Sequence, residues 1–482
     1  MDLLTLISIK ITSTKIELIN MKHYDAIVIG SGQGGVPLAK KIAKQGLKTA
    51  IIERKFIGGT CINDGCTPTK TMVASARMMH LAKNSEALGV NIKDAKLNFK
   101  SVMERKNKMV HDFRNGAEDG LRKTKGLDII FGEARFISNK KLKIVLRDGG
   151  DENITAEKIF INTGGKPTVP KIEGLNTISY LDSTSIMELN ELPEHLIIVG
   201  AGYISLEFGQ MFRRFGSKVT MLEHSERFLS REDEDVSDEI KNFLEDEGIK
   251  IFTNCSAKKV SSTNKKVSVT VTINNKEKKI SGSHLLIAAG RTPNTDALQL
   301  SNTDIKTEER GHIIVNEKLE TNVDGIYALG DVNGGPEFTH ISYNDYIIIY
   351  KNLFANGNES TKNRMVPYCM FTDPQLGRIG LSEQDAKKKN INFKVAKLPM
   401  THVARALETG ETTGFMKAIV EADSKKILGA AIIGEQGGEI MSMLELAMMG
   451  NLSYDVLRNA VFAHPLYAEA LNNLFMQLDE DR

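Results

Sequence analysis

Apolar residues run almost unbroken from Tyr24 to Ile29 and stop at Gly30. A short apolar run that ends in glycine predicts a buried strand. Helical spacing follows from about Val36 to Gln45, then a second apolar run over Lys48–Glu53. The pattern predicts strand, turn, helix, strand, with Gly30-Ser31-Gly32-Gln33-Gly34-Gly35 as G-x-G-x-x-G in the turn. Here Gly30, Gly32 and Gly35 allow a tight turn and close backbone approach to a pyrophosphate on the helix N-terminus. Glu53 ends the second strand, where a carboxylate can accept bonds from ribose hydroxyls. The whole pattern then repeats. His195–Gly200 leads into Gly200-Ala201-Gly202-Tyr203-Ile204-Ser205, a helix to about Phe215 and a strand over Lys218–Glu223. Glu53 follows Gly30 by 23 positions and Glu223 follows Gly200 by 23. Two matching units predict two dinucleotide sites, unless the second is a packing-only copy. Ser205 replaces the last glycine, a small-residue change expected to relax helix–strand packing without abolishing binding.

Between and after these units the pattern is mixed. A helix is expected from Met72 to Lys83 and another over 99–126, with short strands and turns over 127–162. Ile159–Gly165 and Leu285–Pro293 are strands that run into proline-set crossovers. Residues 321–332 hold a short apolar strand ending in Gly330-Asp331, and a helix starts near Thr339. Asp331 could bind a ribityl or ribose hydroxyl, and the helix could aim its positive end at an electron-rich ring. Alone, the Gly-Asp pair also fits a simple turn. From about 364 strands are expected near 393–398, 415–420 and 428–433, with helices near 382–389, 436–449, 453–459 and 466–477. The expected class is α/β, with two Rossmann-like dinucleotide-binding domains and a C-terminal α+β domain.

Composition removes several function classes. The chain has 482 residues, enough for about three domains of ~150 residues. A formal charge of +2 marks no nucleic-acid surface. No apolar run is long enough for a membrane span. Residues 1–20 lack a basic start and a small-residue cleavage site, so no signal peptide is expected; Met21 is the expected natural start, and the location cytoplasmic. Four cysteines make no secreted framework. Cys255 and Cys369 read as buried thiols.

Cys61 and Cys66 stand apart. They lie five positions apart, after Gly58-Gly59 and before a helix. On one regular helix their Cα atoms would be roughly 8.7 Å apart, from the rise and turn per residue. A disulfide tolerates about 7 Å at most. If they bond, the first turn is distorted, and Gly65 supplies the freedom. A helix N-terminus also favours the thiolate. Taken alone, the spacing equally fits two unrelated buried cysteines. Near the C-terminus, His464 precedes Glu469 by five positions across Pro465, which suits a base held by a carboxylate or a structural histidine.

In this order, Cys-x4-Cys, two glycine turns, Gly330-Asp331 and His464…Glu469 resemble the class I pyridine nucleotide–disulfide oxidoreductases. That family includes dihydrolipoamide dehydrogenase, glutathione reductase and mercuric reductase. The resemblance covers about residues 23–478. It implies an extension over 1–22, an FAD-binding domain in two parts (23–165 and 293–363), an NAD(P)-binding domain (166–292) and a dimerisation domain (364–482). It implies FAD at Gly30, Gly32, Gly35, Glu53, Thr60, Lys70, Thr163, Gly164, Asp331 and the helix at Thr339. It implies NAD(P)H at Gly200, Gly202, Glu223 and Arg291, with Tyr203 matching a ring that can cover the nicotinamide pocket. Lys70 and Glu207 match a Lys–Glu pair beside the flavin. By the same resemblance, Cys66 is the thiolate next to the flavin and Cys61 attacks the substrate. The chain is a homodimer, in which His464, oriented by Glu469, completes the partner's site. No resident metal is implied.

Glu223 favours a free 2′-hydroxyl over a 2′-phosphate, with His224 and Arg227 as nearby cations, so NAD(H) is expected over NADP(H). The departures bear on the substrate. The family's His-Pro-Thr is His464-Pro465-Leu466, and Thr67-Pro68-Thr69 differs from the common dehydrogenase version. Phe338-Thr339-His340-Ile341-Ser342-Tyr343 is closer to the mercuric-reductase-like branch and to flavoreductases linked to copper(II) and reactive chlorine. A C-terminal Cys pair and a metal-binding N-terminal domain are not seen, which argues against specific mercuric reduction. The first expectation is a reductase of a small disulfide or dithiol, dihydrolipoamide dehydrogenase-like. The second is a metal-ion or oxidant-responsive reductase using the same dithiol. The third is a non-catalytic flavoprotein subunit, against which the presence of Cys61, Cys66, His464 and Glu469 argues.

Overall fold

The computed structural model describes residues 21–263, 266–274 and 276–479, and the expectations for residues 1–20 lie outside these. The described residues form two compact units: 21–67, 108–166 and 291–364 in the first; 68–107, 167–290 and 365–479 in the second.

The first unit is built on a six-stranded sheet. Strand Lys22–Ile29 lies parallel to both Thr49–Glu53 and Asp151–Ile161, with Ala26 opposite Thr49 and Ile27 opposite Ile159. Ile326–Ala328 pairs in parallel with the end of Asp151–Ile161. Leu127–Ser138 and Lys141–Leu146 add an antiparallel hairpin. Both faces of the central strand are covered. Ile27 and Ile29 join one core; Ala26 and Val28 join another with Leu38 and Ile42 of helix Gly35–Ala43 and Ile349 of helix Thr339–Phe354. Double coverage explains why the strand reads as a continuous apolar run rather than an alternating one.

The second unit repeats this plan with a parallel sheet in the order His284–Ile287, His195–Val199, Lys218–Leu222, Lys250–Phe252. An antiparallel meander, Cys255–Thr263, Lys266–Ile273 and Lys276–Gly282, appears where the pattern gave no prediction. Only its middle strand alternates cleanly, with Val267, Val269 and Val271 buried. A five-stranded antiparallel sheet holds Tyr368–Met370, Gln375–Gly380, Ile427–Gly434, Phe415–Glu421 and Phe393–Pro399 in that spatial order. Helices Gly437–Met449 and Ala470–Met476 pack into its core through Ile440, Leu444, Leu471 and Phe475. The helix expected over 466–477 begins as a separate turn, Tyr467–Glu469. Among the described residues, no helix is long and apolar enough to cross a membrane.

Candidate active site

The first glycine turn is fastened by close packing. Gly30 has φ +99°, and a Cβ there would lie 2.3 Å from the Asn162 carbonyl oxygen. A Cβ on Gly35 would lie 2.2 Å from the Gly30 oxygen, and one on Gly32 2.9 Å from Asn162 Oδ1. Buried Asn162 ties the turn to its surroundings: Oδ1 accepts from Gly35 N at 2.9 Å, and Nδ2 donates to Leu329 O at 2.8 Å and Ser342 Oγ at 3.3 Å. Glu53 is held above the turn, accepting from Ser31 N at 3.1 Å, Ser31 Oγ at 2.6 Å and Lys55 N at 2.8 Å.

Beside this turn the polar groups fit a flavin dinucleotide. Thr163 Oγ1 and Asn294 Oδ1 are buried without a hydrogen-bond partner, while Asn294 Nδ2 donates to Thr163 O at 2.9 Å. A Cβ on Gly164 would meet nothing within 4 Å. Buried acceptors left open next to uncovered backbone are what a hydrogen-bonding ligand would satisfy. Gly330 N donates to Asp345 at 2.8 Å and so fixes the Gly-Asp turn. Burial pushes the Asp331 carboxyl up, against the pull of Arg291 at 3.6 Å.

Cys61 lies in the short helix Gly59–Asn63, after exposed Thr60. The chain leaves helical geometry at Asp64 (φ −134°, ψ 7°), and Cys66 opens a new helix, Cys66–Asn84. The break falls between the cysteines, so they do not share one regular helix. The expected helix therefore begins at Cys66 rather than Met72. Gly65 acts differently from the expectation. Its φ is not left-handed; instead a Cβ there would lie 2.9 Å from Thr60 O and 3.3 Å from Cys61 Cα. Close approach, not backbone freedom, requires glycine. Asn63 braces the first turn: it donates to Ile57 O at 3.1 Å and Gly59 O at 2.9 Å, and accepts from Arg114 at 2.7 Å. Cys66 Sγ lies 3.3 Å from the hydroxyl of Thr339, the first residue of Thr339–Phe354.

The second unit holds the other glycine turn. Gly200 has φ +103°, and its Cβ position lies 2.4 Å from Ala288 O. Glu223 accepts from Ala201 N at 2.9 Å and Ser225 N at 2.8 Å, with His224 Nδ1 2.9 Å away. A Cβ on Gly202 would meet nothing within 4 Å, so this edge is open to a pyrophosphate. Ser205 is fully buried and its hydroxyl has no hydrogen-bond partner. This donor set fits a nicotinamide dinucleotide. Arg291 belongs to the first unit, where it donates to Gly165 O at 2.7 Å and faces Asp331.

Further groupings lie in the second unit. Lys70 Nζ is 2.6 Å from Glu207 Oε2, and Glu207 Oε1 accepts from Phe371 N at 2.9 Å. His464 Nδ1 is 2.9 Å from Glu469 Oε2, and the exposed ring turns Nε2 away from that carboxylate. Tyr203 donates to fully buried Glu232. Cys255 is buried as expected, whereas Cys369 is only half-buried; desolvation pushes their pKa up to about 11 and about 12, with Glu207 adding to the latter. Carboxylates of Asp233, Asp235 and Glu383 converge, but on the Lys417 ammonium at 3.1, 2.8 and 2.5 Å. Asn162, Asn294 and Glu232 escaped the sequence reading. Asn162 left a signal, a polar residue inside the apolar run Ile159–Thr163; Glu232 left none, being inside a charged run.

Comparison with known proteins agrees with this geometry. Residues 24–345 match the pyridine nucleotide-disulphide oxidoreductase family, and residues 366–475 match its dimerisation domain. The probable pyridine nucleotide-disulfide oxidoreductase RclA of Escherichia coli is 39% identical over 459 residues, covering 94% of this chain and 99% of the relative. Mercuric reductase of Staphylococcus aureus is 35% identical over 458 residues, covering 95% and 83%. Dihydrolipoyl dehydrogenase of Geobacillus stearothermophilus is 33% identical over 447 residues, covering 92% and 94%. A solved structure titled as the Cu(II) complex of the HOCl-induced flavoprotein disulfide reductase RclA from Escherichia coli matches at TM-score 0.88 and 38% identity, covering 95% of this chain and 100% of that one. The dimerisation match fits the exposed apolar residues Leu446, Met449, Val456 and Val461 in the second unit. The chain therefore belongs to the pyridine nucleotide-disulphide oxidoreductases: it is a homodimeric, NAD(P)H-dependent FAD disulfide oxidoreductase of the group that holds RclA, mercuric reductase and dihydrolipoyl dehydrogenase.

Proposed function

We propose that this enzyme uses NADH to reduce a small disulfide, or runs the reverse oxidation of a dithiol, through a Cys61–Cys66 pair. The observation that carries this reading is the placement of Cys66 at the first residue of a helix, 3.3 Å from the Thr339 hydroxyl. The positive end of the helix dipole at that position and a nearby hydroxyl favour a thiolate. Segments 23–165 and 293–363 hold FAD and segment 166–292 holds the nicotinamide nucleotide. Asn162 and Glu53 fix the first turn, Glu223 the second. When bound, FAD would supply two-electron chemistry between the nicotinamide and a disulfide. Two electrons open the Cys61–Cys66 bond. Cys61 then attacks the substrate disulfide, forms a mixed disulfide and expels one substrate thiolate. The partner subunit's His464 gives that thiolate its proton. Cys66 displaces the second substrate sulfur and restores the bond. Each cycle consumes one NADH and one H⁺, and yields one NAD⁺ and one dithiol.

The test is anaerobic reduction with one equivalent of NADH, followed by visible spectroscopy. A long-wavelength band beyond the flavin peak is expected, from a thiolate beside the flavin. Cys66→Ser should retain flavin, lose that band and lower disulfide turnover at least about a thousandfold, as loss of a covalent nucleophile does. Simple bleaching of the unaltered enzyme, or full turnover by the variant, would refute the mechanism.

A copper-titled structure at 38% identity favours a second reading, in which the same dithiol delivers its two electrons to two Cu(II) ions. Steady-state NADH oxidation with lipoamide, glutathione disulfide, Hg(II) and Cu(II) separates the two. Lipoamide turnover orders of magnitude above every metal would sink the metal reading.

A further inference from the structure

His464 stands on a stretch with little structure of its own. Helix Tyr454–Arg458 ends before it, the turn Tyr467–Glu469 closes it, and residues 459–466 lie in neither helix nor strand. The His464 side chain is 69% exposed, with Val461 and Leu466 exposed on either side of it in the chain. A side chain on such a stretch is placed by whatever anchors its two ends. At the front end, Asn472 Nδ2 lies 2.7, 3.1 and 3.1 Å from the carbonyl oxygens of Leu457, Arg458 and Ala460. At the rear, Pro465, Leu466, Tyr467 and Ala468 separate His464 from Glu469, and Tyr467 alone among them carries a polar side-chain group.

Tyr467 is 4% exposed, and its hydroxyl donates to Glu435 Oε2 at 2.8 Å, with Thr409 Oγ1 2.8 Å away. Burial pushes its pKa up to about 12, so the phenol stays a donor. Glu435 is itself held. Its other oxygen accepts from Arg77 at 3.0 Å, and Arg77 also pairs with Glu411 at 3.1 Å and with Asp373. Arg77 lies in the helix Cys66–Asn84. The turn between His464 and Glu469 is thus fastened, through one phenol and one carboxylate, to the helix that opens at Cys66. Removing the hydroxyl alone strands no buried charge. Glu435 keeps Arg77 and is 24% exposed, so water can take the vacated oxygen, and Thr409 keeps its contacts with the carbonyl oxygens of Arg405 and Ala406. The ring stays in the core that holds Leu471 and Phe475.

We propose that Tyr467 is a positioning residue, whose bond to Glu435 fixes the turn that presents His464, so that proton delivery to the departing substrate thiolate depends on it. The inference rests on the reading of His464 as the proton donor in disulfide reduction. It separates substrates by the basicity of the thiolate they release. A basic alkyl thiolate needs the proton as it leaves, whereas an acidic aromatic thiolate leaves without one.

The test is stopped-flow reoxidation of the FAD-loaded dimer, reduced anaerobically with one equivalent of NADH and then mixed with oxidised lipoamide or with dithiobis(nitrobenzoate). Tyr467→Phe is expected to slow reoxidation by lipoamide about tenfold, part of the roughly hundredfold or more that a positioned acid contributes. Reoxidation by the aromatic disulfide, and flavin reduction by NADH, should each stay within about twofold. Glu435→Gln, which weakens the tether from its other end, should show the same dependence on the leaving thiolate at about threefold. In a His464→Ala background, Tyr467→Phe should cost nothing more, because the group it positions is gone. A merely structural role would slow both disulfides alike and would add to the loss in that background. A lipoamide rate within about twofold in Tyr467→Phe, equal slowing with both disulfides, or a further loss on top of His464→Ala would overturn the tether. If His464→Ala itself left the lipoamide rate unchanged, the reading of His464 as proton donor would fall, and the role of Tyr467 with it.

Discussion

In the first glycine turn, Glu53 accepts from Ser31 N and Lys55 N; in the second, Glu223 accepts from Ala201 N and Ser225 N. Gly30 packs its α-carbon on the Asn162 carbonyl, and Gly200 packs on that of Ala288. The parallel strand beside each one also ends alike, with Asn162 N donating to Ile29 O and Ala288 N to Val199 O. The backbone device is the same, yet the side chains that fasten it differ. Asn162 adds hydrogen bonds to Gly35, Leu329 and Ser342, which link the turn to two further elements. Ala288 can make none of these. Gly35 leaves no room for a Cβ, while Ser205 fits one at the matching position. A turn tied through a fully satisfied buried network resists opening. This difference fits the roles proposed for the two turns, a ligand kept at the first and one exchanged at the second.

The strongest way to break this comparison is to remove the fastening. Asn162→Leu leaves Gly35 N and Leu329 O buried without that partner, at about 1–3 kcal/mol for each group. The variant is expected to be purified with under about a third of the flavin of the unaltered protein, read as the ratio of flavin to protein absorbance. Its second glycine turn should be unaffected, so nucleotide binding by the residual holoenzyme should persist. Full flavin content would show that Asn162 is incidental and that the turns are equivalent.

The next effect sharpens the comparison on the nucleotide side. Glu223→Gln keeps one acceptor but presents an amide where the second backbone N–H points. It also removes the charge that opposes a 2′-phosphate. Charge-assisted bonds of this kind are worth about 1.5–3 kcal/mol, so NADH kcat/KM should fall at least about tenfold. The proposed NADH over NADPH preference should shrink with it. Glu53→Gln should alter flavin retention and leave that preference alone. A matched shift in both variants would mean that the two carboxylates are not assigned to separate ligands.

A smaller effect concerns Asp331. Burial raises its folded pKa above the unfolded value, with Arg291 opposing. The sign follows directly: the group's favourable contribution is complete below the unfolded pKa and is lost as pH rises through the folded one. In the flavin-free protein, Asp331→Asn should therefore raise the urea midpoint at pH 7 and leave it nearly unchanged at pH 4 or below. A gain of equal size at both pH values would assign the effect to packing rather than ionisation.

These contrasts also show what a sequence can display. Both turns and both carboxylates are legible because a strand, a glycine turn and an acid 23 positions on are all local features. The Gly35–Ser205 difference is visible too. The break at Asp64 is not, since the sequence pattern shows a helix only from Met72 on, whereas helices Gly59–Asn63 and Cys66–Asn84 flank the break. Glu232 is the harder case. It stands in Arg231-Glu232-Asp233-Glu234-Asp235, a run that reads as solvated, yet it is fully buried. Its tyrosine partners are 29 and 136 positions away. A burial set by distant residues leaves no periodic trace, so polar groups joined across the chain stay hidden while the turns that surround them do not.

The smallest expected effect is the most pointed test of the asymmetry. Ser205→Gly would give the second turn the same three glycines as the first. It removes a buried hydroxyl that has no partner, which favours the folded state. It also places glycine in the first turn of Tyr203–Phe215, at a cost of roughly 0.5–1 kcal/mol in backbone entropy. The two terms oppose and are similar in size. The thermal midpoint should move by no more than about 2 °C, and the KM for NADH by less than about twofold. Gly35→Ser, the reverse exchange, has no such balance, because its Cβ would meet the Gly30 carbonyl at 2.2 Å, a backbone atom that cannot swing aside. That variant should lose flavin. Equal tolerance at both positions would mean that the close packing of the first turn is not what distinguishes a retained ligand from an exchanged one.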